Sequence, residues 1–295
     1  MDSTIAAAQP HLRYFGYVGI DVGYDDPLDA DGKTNYLDET ASFTNIAHIA
    51  VADPSISLAA RLDAFAAQDV GGLLDLTPIF YEEVSPPVDV TGSGTDLRLR
   101  SDYRARWNRL CTTSHLAARL STIACFYLCD EPTWRGVTAA ELASEADLIK
   151  ATFPIVPTLI VEAYPVINAL TVPSAVDWIA FDRYFITDPS TDADYLRNLA
   201  DLKRRRSSPT QQILLILDAQ WLPGHGYPPE AMTQIATNYY RLASADRDII
   251  GLIGYAWPGG LDGLTSRGTR NLPPAVKAEH MRIGRAITGK VMVSN

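Results

Sequence analysis

The sequence predicts a single (β/α)8 barrel domain occupying residues 1–295. Three observations carry this reading. Eight short runs are continuously apolar rather than alternating, as strands are when a parallel sheet is buried on both faces. Segments with helical patterning lie between them. The strand–helix rhythm continues without a composition break, and a barrel of this kind takes about 250 residues. Short right-handed crossovers close such a series. A doubly wound open sheet is the alternative arrangement of the same elements.

In chain order, Tyr14–Asp21 (YFGYVGID) and Asn45–Ala52 (NIAHIAVA) open the series. Ser57–Gln68 has apolar positions at helical spacing and leads into Val70–Leu76 (VGGLLDL). A loop insertion at about 81–97 follows, rich in Pro, Gly and Ser (YEEVSPPVDVTGSGTD). It would lie over the C-terminal face of the barrel, as a substrate wall or as a plain insertion. Leu97–Leu120, with many Arg and Leu, reads as a helix before Ile123–Cys129. Thr138–Thr152 begins with a capping box, Thr138 with Glu141 three residues on, and precedes Ile155–Glu162. Ala163–Ser174 is too short for a good helix before Val176–Phe181. Thr191–Arg206 ends in Lys203-Arg204-Arg205-Arg206, cations that complement a helix C-terminus. Ile213–Asp218 comes next. Pro229–Ala245 has Pro in its first turn, Ile249–Trp257 is the eighth run, and Pro274–Ile287 closes the chain.

Composition narrows the function. Hydrophobic residues make up 47% and charged residues 20%, enough apolar surface to offset the entropy of ordering the chain. The formal charge of −10 argues against nucleic acid or an anionic membrane, whose phosphates attract Lys and Arg. Nor is there a run of about 18 apolar residues to span a bilayer. The start lacks the basic and long apolar regions of a secretory leader, so the expected location is the cytoplasm, or outside after lysis or in a particle. Oligomeric state is left open. The cysteines, Cys111, Cys125 and Cys129, read as buried thiols. Cys125 and Cys129 are four apart in a strand, which places them on one face.

Active sites of such barrels are built at the C-terminal strand ends. There the sequence places Asp21 and Tyr24, then Asp75 and Tyr81, then Asp130 and Glu131. Further on come Glu162 and Tyr164, Asp182 and Tyr184, Asp218, Gln220 and Trp221, and finally Tyr255 and Trp257. Carboxylates and amides hydrogen-bond sugar hydroxyls, and aromatic rings stack on sugar C–H faces. Glycoside hydrolysis needs one carboxylic acid to protonate the leaving oxygen. A second carboxylate must attack, activate water, or steady a substrate group that attacks.

The stretch Tyr127-Leu128-Cys129-Asp130-Glu131-Pro132 resembles the end of the fourth strand in TIM-barrel glycoside hydrolases. In the large retaining clan the acid/base Glu follows an Asn and often precedes a Pro. Glu131 and Pro132 match, and Asp130 stands in place of the Asn. An Asp-Glu pair here is also similar to hexosaminidase-type barrels, where the Asp steadies the substrate's own acetamido group. Val176–Tyr184, Gln220 and Tyr255-Ala256-Trp257-Pro258-Gly259-Gly260 resemble the sixth, seventh and eighth strands of related hydrolase-like barrels. The resemblance implies cleavage of a glycosidic bond in a poly- or oligosaccharide, with Glu131 as general acid/base and no cofactor. The clan's nucleophilic Glu at the end of the seventh strand is missing. The second catalytic carboxylate is therefore Asp218, or Glu162, or none, with Asp130 orienting a substrate-assisted attack. The implied contacts to sugar are Asp21, Tyr24, Tyr81, Tyr164, Asp182, Tyr184, Gln220, Trp221, Tyr255 and Trp257.

Each candidate has a plainer role open to it. Glu131 would pair with an Arg, Asp130 would cap a turn, and Trp257 would plug the barrel. His48, within the second strand, reads as a core histidine. Metal motifs such as HExxH or paired CxxC are missing, so no dedicated metal site is expected. The other class of function is a non-catalytic carbohydrate-binding barrel of a cell wall or phage particle.

Overall fold

The computed structural model describes residues 11–29, 31–84 and 93–291. Eight parallel strands close into a barrel. They are β1 (Tyr14–Asp21), β2 (Ile46–Ala50), β3 (Gly71–Asp75), β4 (Ile123–Asp130), β5 (Thr158–Ala163), β6 (Trp178–Asp182), β7 (Gln212–Asp218) and β8 (Ile249–Tyr255). Each pairs with its sequence neighbours, and β8 closes on β1 through Tyr14 to Tyr17. All eight lie within or beside the apolar runs. Strand closure needs close backbone approach: a Cβ at Gly16 would stand 1.9 Å from the Ile46 carbonyl oxygen.

Inward parity fills the barrel with Ile46, Leu73, Cys125, Leu159, Trp178, Leu214 and Ile250 among others. Outward parity packs against the helices, with Leu62, Phe65, Trp107, Ile149, Tyr239 and Ile283 in that shell. The barrel interior is thus a packed core, and only its C-terminal mouth opens into a cavity. No described helix is long and apolar enough to cross a membrane.

The capping box is present: Glu141 N–H donates to Thr138 Oγ1, and Thr138 N–H donates to Glu141 Oε2 at 2.9 Å, opening the helix Ala139–Thr152. The helix expected over Leu97–Leu120 is shorter, Tyr103–Thr113. Leu97–Leu99 instead pairs antiparallel with Tyr81–Glu83 as the base of the inserted loop, and 3-10 turns follow the helix. Residues 85–92 of that loop lie outside the described residues.

Cys125 and Cys129 are buried free thiols and Cys111 is half-buried, but the expectation that Cys125 and Cys129 share a face fails. Cys125 faces the barrel interior, whereas Cys129 packs into the outer shell. A register shift between Tyr127 and Cys129 opposite β5 marks a bulge, which inserts a residue and reverses the parity.

Candidate active site

The same bulge builds the site. With Leu128 and Cys129 both in the outer shell, Tyr127 and Asp130 both face the cavity although three residues apart. Tyr127 OH thereby donates to Asp130 Oδ1. The next residue, Glu131, adopts φ +49°, the left-handed region that is uncommon outside glycine. That turn brings Glu131 back to the cavity beside Asp130 instead of on the opposite face. Such strain, of order 1–3 kcal/mol, persists only where surroundings hold it. Here Glu131 N–H donates to the Val161 carbonyl at 2.8 Å, and Arg135 N–H donates to the Glu131 carbonyl at 2.9 Å.

The cavity measures about 320 Å³, near the lower end of small-molecule sites, which run roughly 300–1,000 Å³. Asp75, Asp130, Glu131, Asp182 and Asp262 line it, with Tyr127, Tyr184, Tyr255 and His48, over apolar residues such as Leu159 and Ile216. Tyr184 and Tyr255 form one wall, ring centroids 5.3 Å apart.

Burial and the adjacent Asp130 charge push the Glu131 carboxyl up to about 7, opposed by a hydrogen bond with Asp182. Asp182 is raised further, by burial and then by Glu131 and Asp130. Two carboxyls in hydrogen-bond contact do not both ionise, so a proton resides between them at neutral pH. Asp130 is also raised by burial, against the Tyr127 hydrogen bond. Asp75 behaves in the opposite way. Burial would raise it, but the adjacent His48 ring and hydrogen bonds from Thr77 hold it below the usual carboxylate range.

Of the residues anticipated from the sequence, Asp130, Glu131, Asp182, Tyr184 and Tyr255 meet in this cavity. The others are elsewhere. Glu162 has the opposite strand parity from Leu159 and Val161. Its fully buried carboxylate accepts from the amides of Thr133 (2.9 Å), Trp134 (3.3 Å) and Ala163 (3.0 Å). It tethers the loop after Glu131 and does not face the cavity. Asp218 is also fully buried, its Oδ2 accepting from Phe185 N–H at 2.8 Å. Asp21 is engaged by Arg61, Nε to Oδ2 at 2.6 Å. Tyr81 is buried in the shell. Trp257 packs on Tyr17 (5.0 Å) and donates to Glu39, plugging the space beside β1.

Tyr24, Tyr164 and Trp221 do not line the cavity. Tyr164 lies under Arg183, and Trp221 Nε1 donates to the Tyr227 carbonyl at 2.9 Å. Gln220 stands behind the wall, its Nε2 donating to Asp262 Oδ2. These residues lie beyond the last inward-facing strand position, where loop packing rather than strand parity directs the side chain.

Four cavity residues receive no site role from the sequence alone, although Asp75 is placed on the rim. His48 is not a plain core histidine: its Nδ1 accepts from Gly19 N–H at 3.3 Å, which leaves Nε2 protonated, 3.6 Å from Asp75 Oδ2. Strand parity from Ile46 would have pointed His48 inward, and Leu73 would have done so for Asp75. Tyr127 needed the bulge. Asp262, in the loop after β8, carried no signal.

Asp218 furnishes a pH test. Burial pushes its carboxyl up to about 7. The folded state holds a proton that the unfolded chain releases near pH 4, so this stability is full below that pH and lost as pH rises through about 7. Asp218→Asn cannot ionise. It is expected to melt higher than wild type by about 2–4 °C at pH 8, with no difference at pH 4, in scanning calorimetry. Turnover should stay within a few-fold of wild type; a thousandfold loss would restore Asp218 as the nucleophile.

No family model matches the chain, and no curated protein is significantly similar to it. Solved structures are similar in fold. A glucosidase from Croceicoccus marinus aligns over 94% of this chain and 67% of its own, with TM-score 0.60 and 12% identity. Xylanase 10B from Thermotoga maritima aligns over 96% and 97%, with TM-score 0.55 and 13% identity. A mutant of Gas2p from Saccharomyces cerevisiae, in complex with laminaritetraose and laminaripentaose, aligns over 93% of this chain and 64% of its own, with TM-score 0.58 and 12% identity. The chain thus spans less than two thirds of Gas2p. The fold is that of TIM-barrel glycoside hydrolases. Fold alone does not carry activity.

Proposed function

We propose that the chain is a glycoside hydrolase in which Glu131 protonates the leaving glycosidic oxygen. The observation that carries this reading is the meeting of Asp130, Glu131 and Asp182 in one cavity at the C-terminal strand ends, where burial and the Asp130 charge raise the Glu131 carboxyl to about 7. Asp182 shares the proton and returns it to Glu131. Asp130, fixed by the Tyr127 hydroxyl, supplies negative charge to the oxocarbenium-like transition state or to a substrate group that attacks. Asp218 and Glu162 are turned to backbone amides, which favours Asp130 over either as the second carboxylate. The fold neighbours named for glucosidase and xylanase activity agree with the reaction class.

The withdrawn Asp218 also favours a second reading, a barrel that binds carbohydrate without cleaving it. One experiment separates them: wild-type protein incubated with a panel of neutral, acetylated and amino-sugar oligosaccharides, followed by reducing-end release. Cleavage of at least one glycan is expected. Binding without cleavage across the panel overturns the enzyme reading in favour of the second.

A further inference from the structure

Carboxylate catalysis of glycoside cleavage uses two acids, yet five line this cavity: Asp75, Asp130, Glu131, Asp182 and Asp262. Among the described residues no Lys or Arg lines it. Arg135 lowers Asp130 and Glu131 from outside the cavity. Two of the surplus acids are fixed in place by neighbouring donors. Asp75 is held low by His48 and Thr77. Asp262, exposed at the mouth, accepts from Tyr255 OH at 2.7 Å and from Gln220 Nε2, which hold its carboxyl at the rim. Among the described lining residues His48, beside Asp75, is the one basic side chain against five acids, and negative charge in excess of its partners facing a partly apolar cavity costs free energy until an opposite charge enters.

The cavity acids do not converge as a chelate does. Among the described residues, the only three acids whose oxygens converge within 4.8 Å are Asp25, Asp29 and Asp31, which are outside the cavity. The cavity acids are spread around its wall, which suits a larger organic cation. Other wall groups point to a sugar. His48 is 8% exposed, and its Nε2, 3.6 Å from Asp75 Oδ2, completes no hydrogen bond within the protein, so it can donate to a hydroxyl that enters beside Asp75. The Tyr184–Tyr255 wall offers ring faces to C–H groups and to an ammonium.

We propose that the cavity takes a hexosamine with a free, protonated amine, so that the substrate is an amino-sugar polymer or oligomer lacking N-acetyl groups. This rests on the glycoside hydrolase reading above and names its substrate class. The test measures binding of wild-type protein by calorimetry to methyl glycosides of glucosamine and galactosamine, their N-acetyl counterparts, glucose and galactose. At least one amine is expected to bind about tenfold or more tightly than its acetylated and neutral partners, a difference of about 1.4 kcal/mol. Asp262→Asn and Asp75→Asn should each shrink that ratio by weakening amine binding more than neutral-sugar binding. Asp262 is exposed, so its variant carries the test if Asp75→Asn does not fold. Equal or weaker binding of both amines overturns the inference. If acetylated or neutral glycans are cleaved in that case, the hydrolase reading survives; if no sugar is bound or cleaved, both fall.

Discussion

Glu131→Gln is expected to lower kcat by about 10²–10⁴-fold on the cleaved glycan, with KM changed little. Gln keeps the shape and a hydrogen bond to Asp182 but has no proton to give. The pH profile should change as well. Glu131 acts as an acid only while protonated, and burial with the Asp130 charge sets its carboxyl at about 7. Wild-type kcat/KM should therefore hold below that pH and fall about tenfold per unit above it. In the variant this alkaline limb should vanish. A substrate with a good leaving group, such as a nitrophenyl glycoside, needs less protonation and should recover much of the lost rate. A variant with wild-type turnover and an unaltered alkaline limb would remove Glu131 from the chemistry.

Glu162→Ala is expected to be the largest structural perturbation at the site. The fully buried carboxylate is the acceptor for three backbone amides, those of Thr133, Trp134 and Ala163. Each buried donor left without a partner costs about 1–3 kcal/mol, so a loss of about 3 kcal/mol or more is expected. At this size that corresponds to roughly 6–10 °C in Tm. Thr133 is two residues beyond Glu131, so freeing its amide also loosens the left-handed turn that aims Glu131 at the cavity. A displacement of about 1 Å costs on the order of 10²-fold in rate. Glu162→Gln retains one acceptor oxygen and should show smaller losses in both Tm and kcat. A nucleophile would behave otherwise: Gln and Ala would be equally inactive, Tm would be unchanged, and azide would rescue the Ala variant.

These two acids mark how far the sequence could be read. All eight strands were legible, because a parallel barrel buries both faces of every strand and so demands continuous apolar runs. The capping box at Thr138 was legible because it is a contact between residues three apart. The helix over Leu97–Leu120 was overextended, because Leu97–Leu99 is claimed by Tyr81–Glu83, a pairing across the inserted loop. The neighbourhood of the site was readable too, since strand C-termini are ordered by the chain. Asp130, Glu131, Asp182, Tyr184 and Tyr255 all came from that rule, with Asp130 and Glu131 singled out further by the resemblance of the stretch around them.

What the sequence determined by itself was therefore the period of burial, the elements, and the rim on which chemistry would gather. The tertiary structure decided which rim residues face inward. One inserted residue in β4 reversed parity, separating Cys125 from Cys129 and joining Tyr127 to Asp130. One left-handed residue then placed Glu131 beside Asp130, where alternation would have divided them. Glu162, one position out of phase with Val161, became a tether for that turn instead of a reactant. The reason is physical. Strand alternation has a period of two residues, so a single bulge or one residue at positive φ exchanges the faces of the sheet, and both are set by pairing with strands distant in sequence.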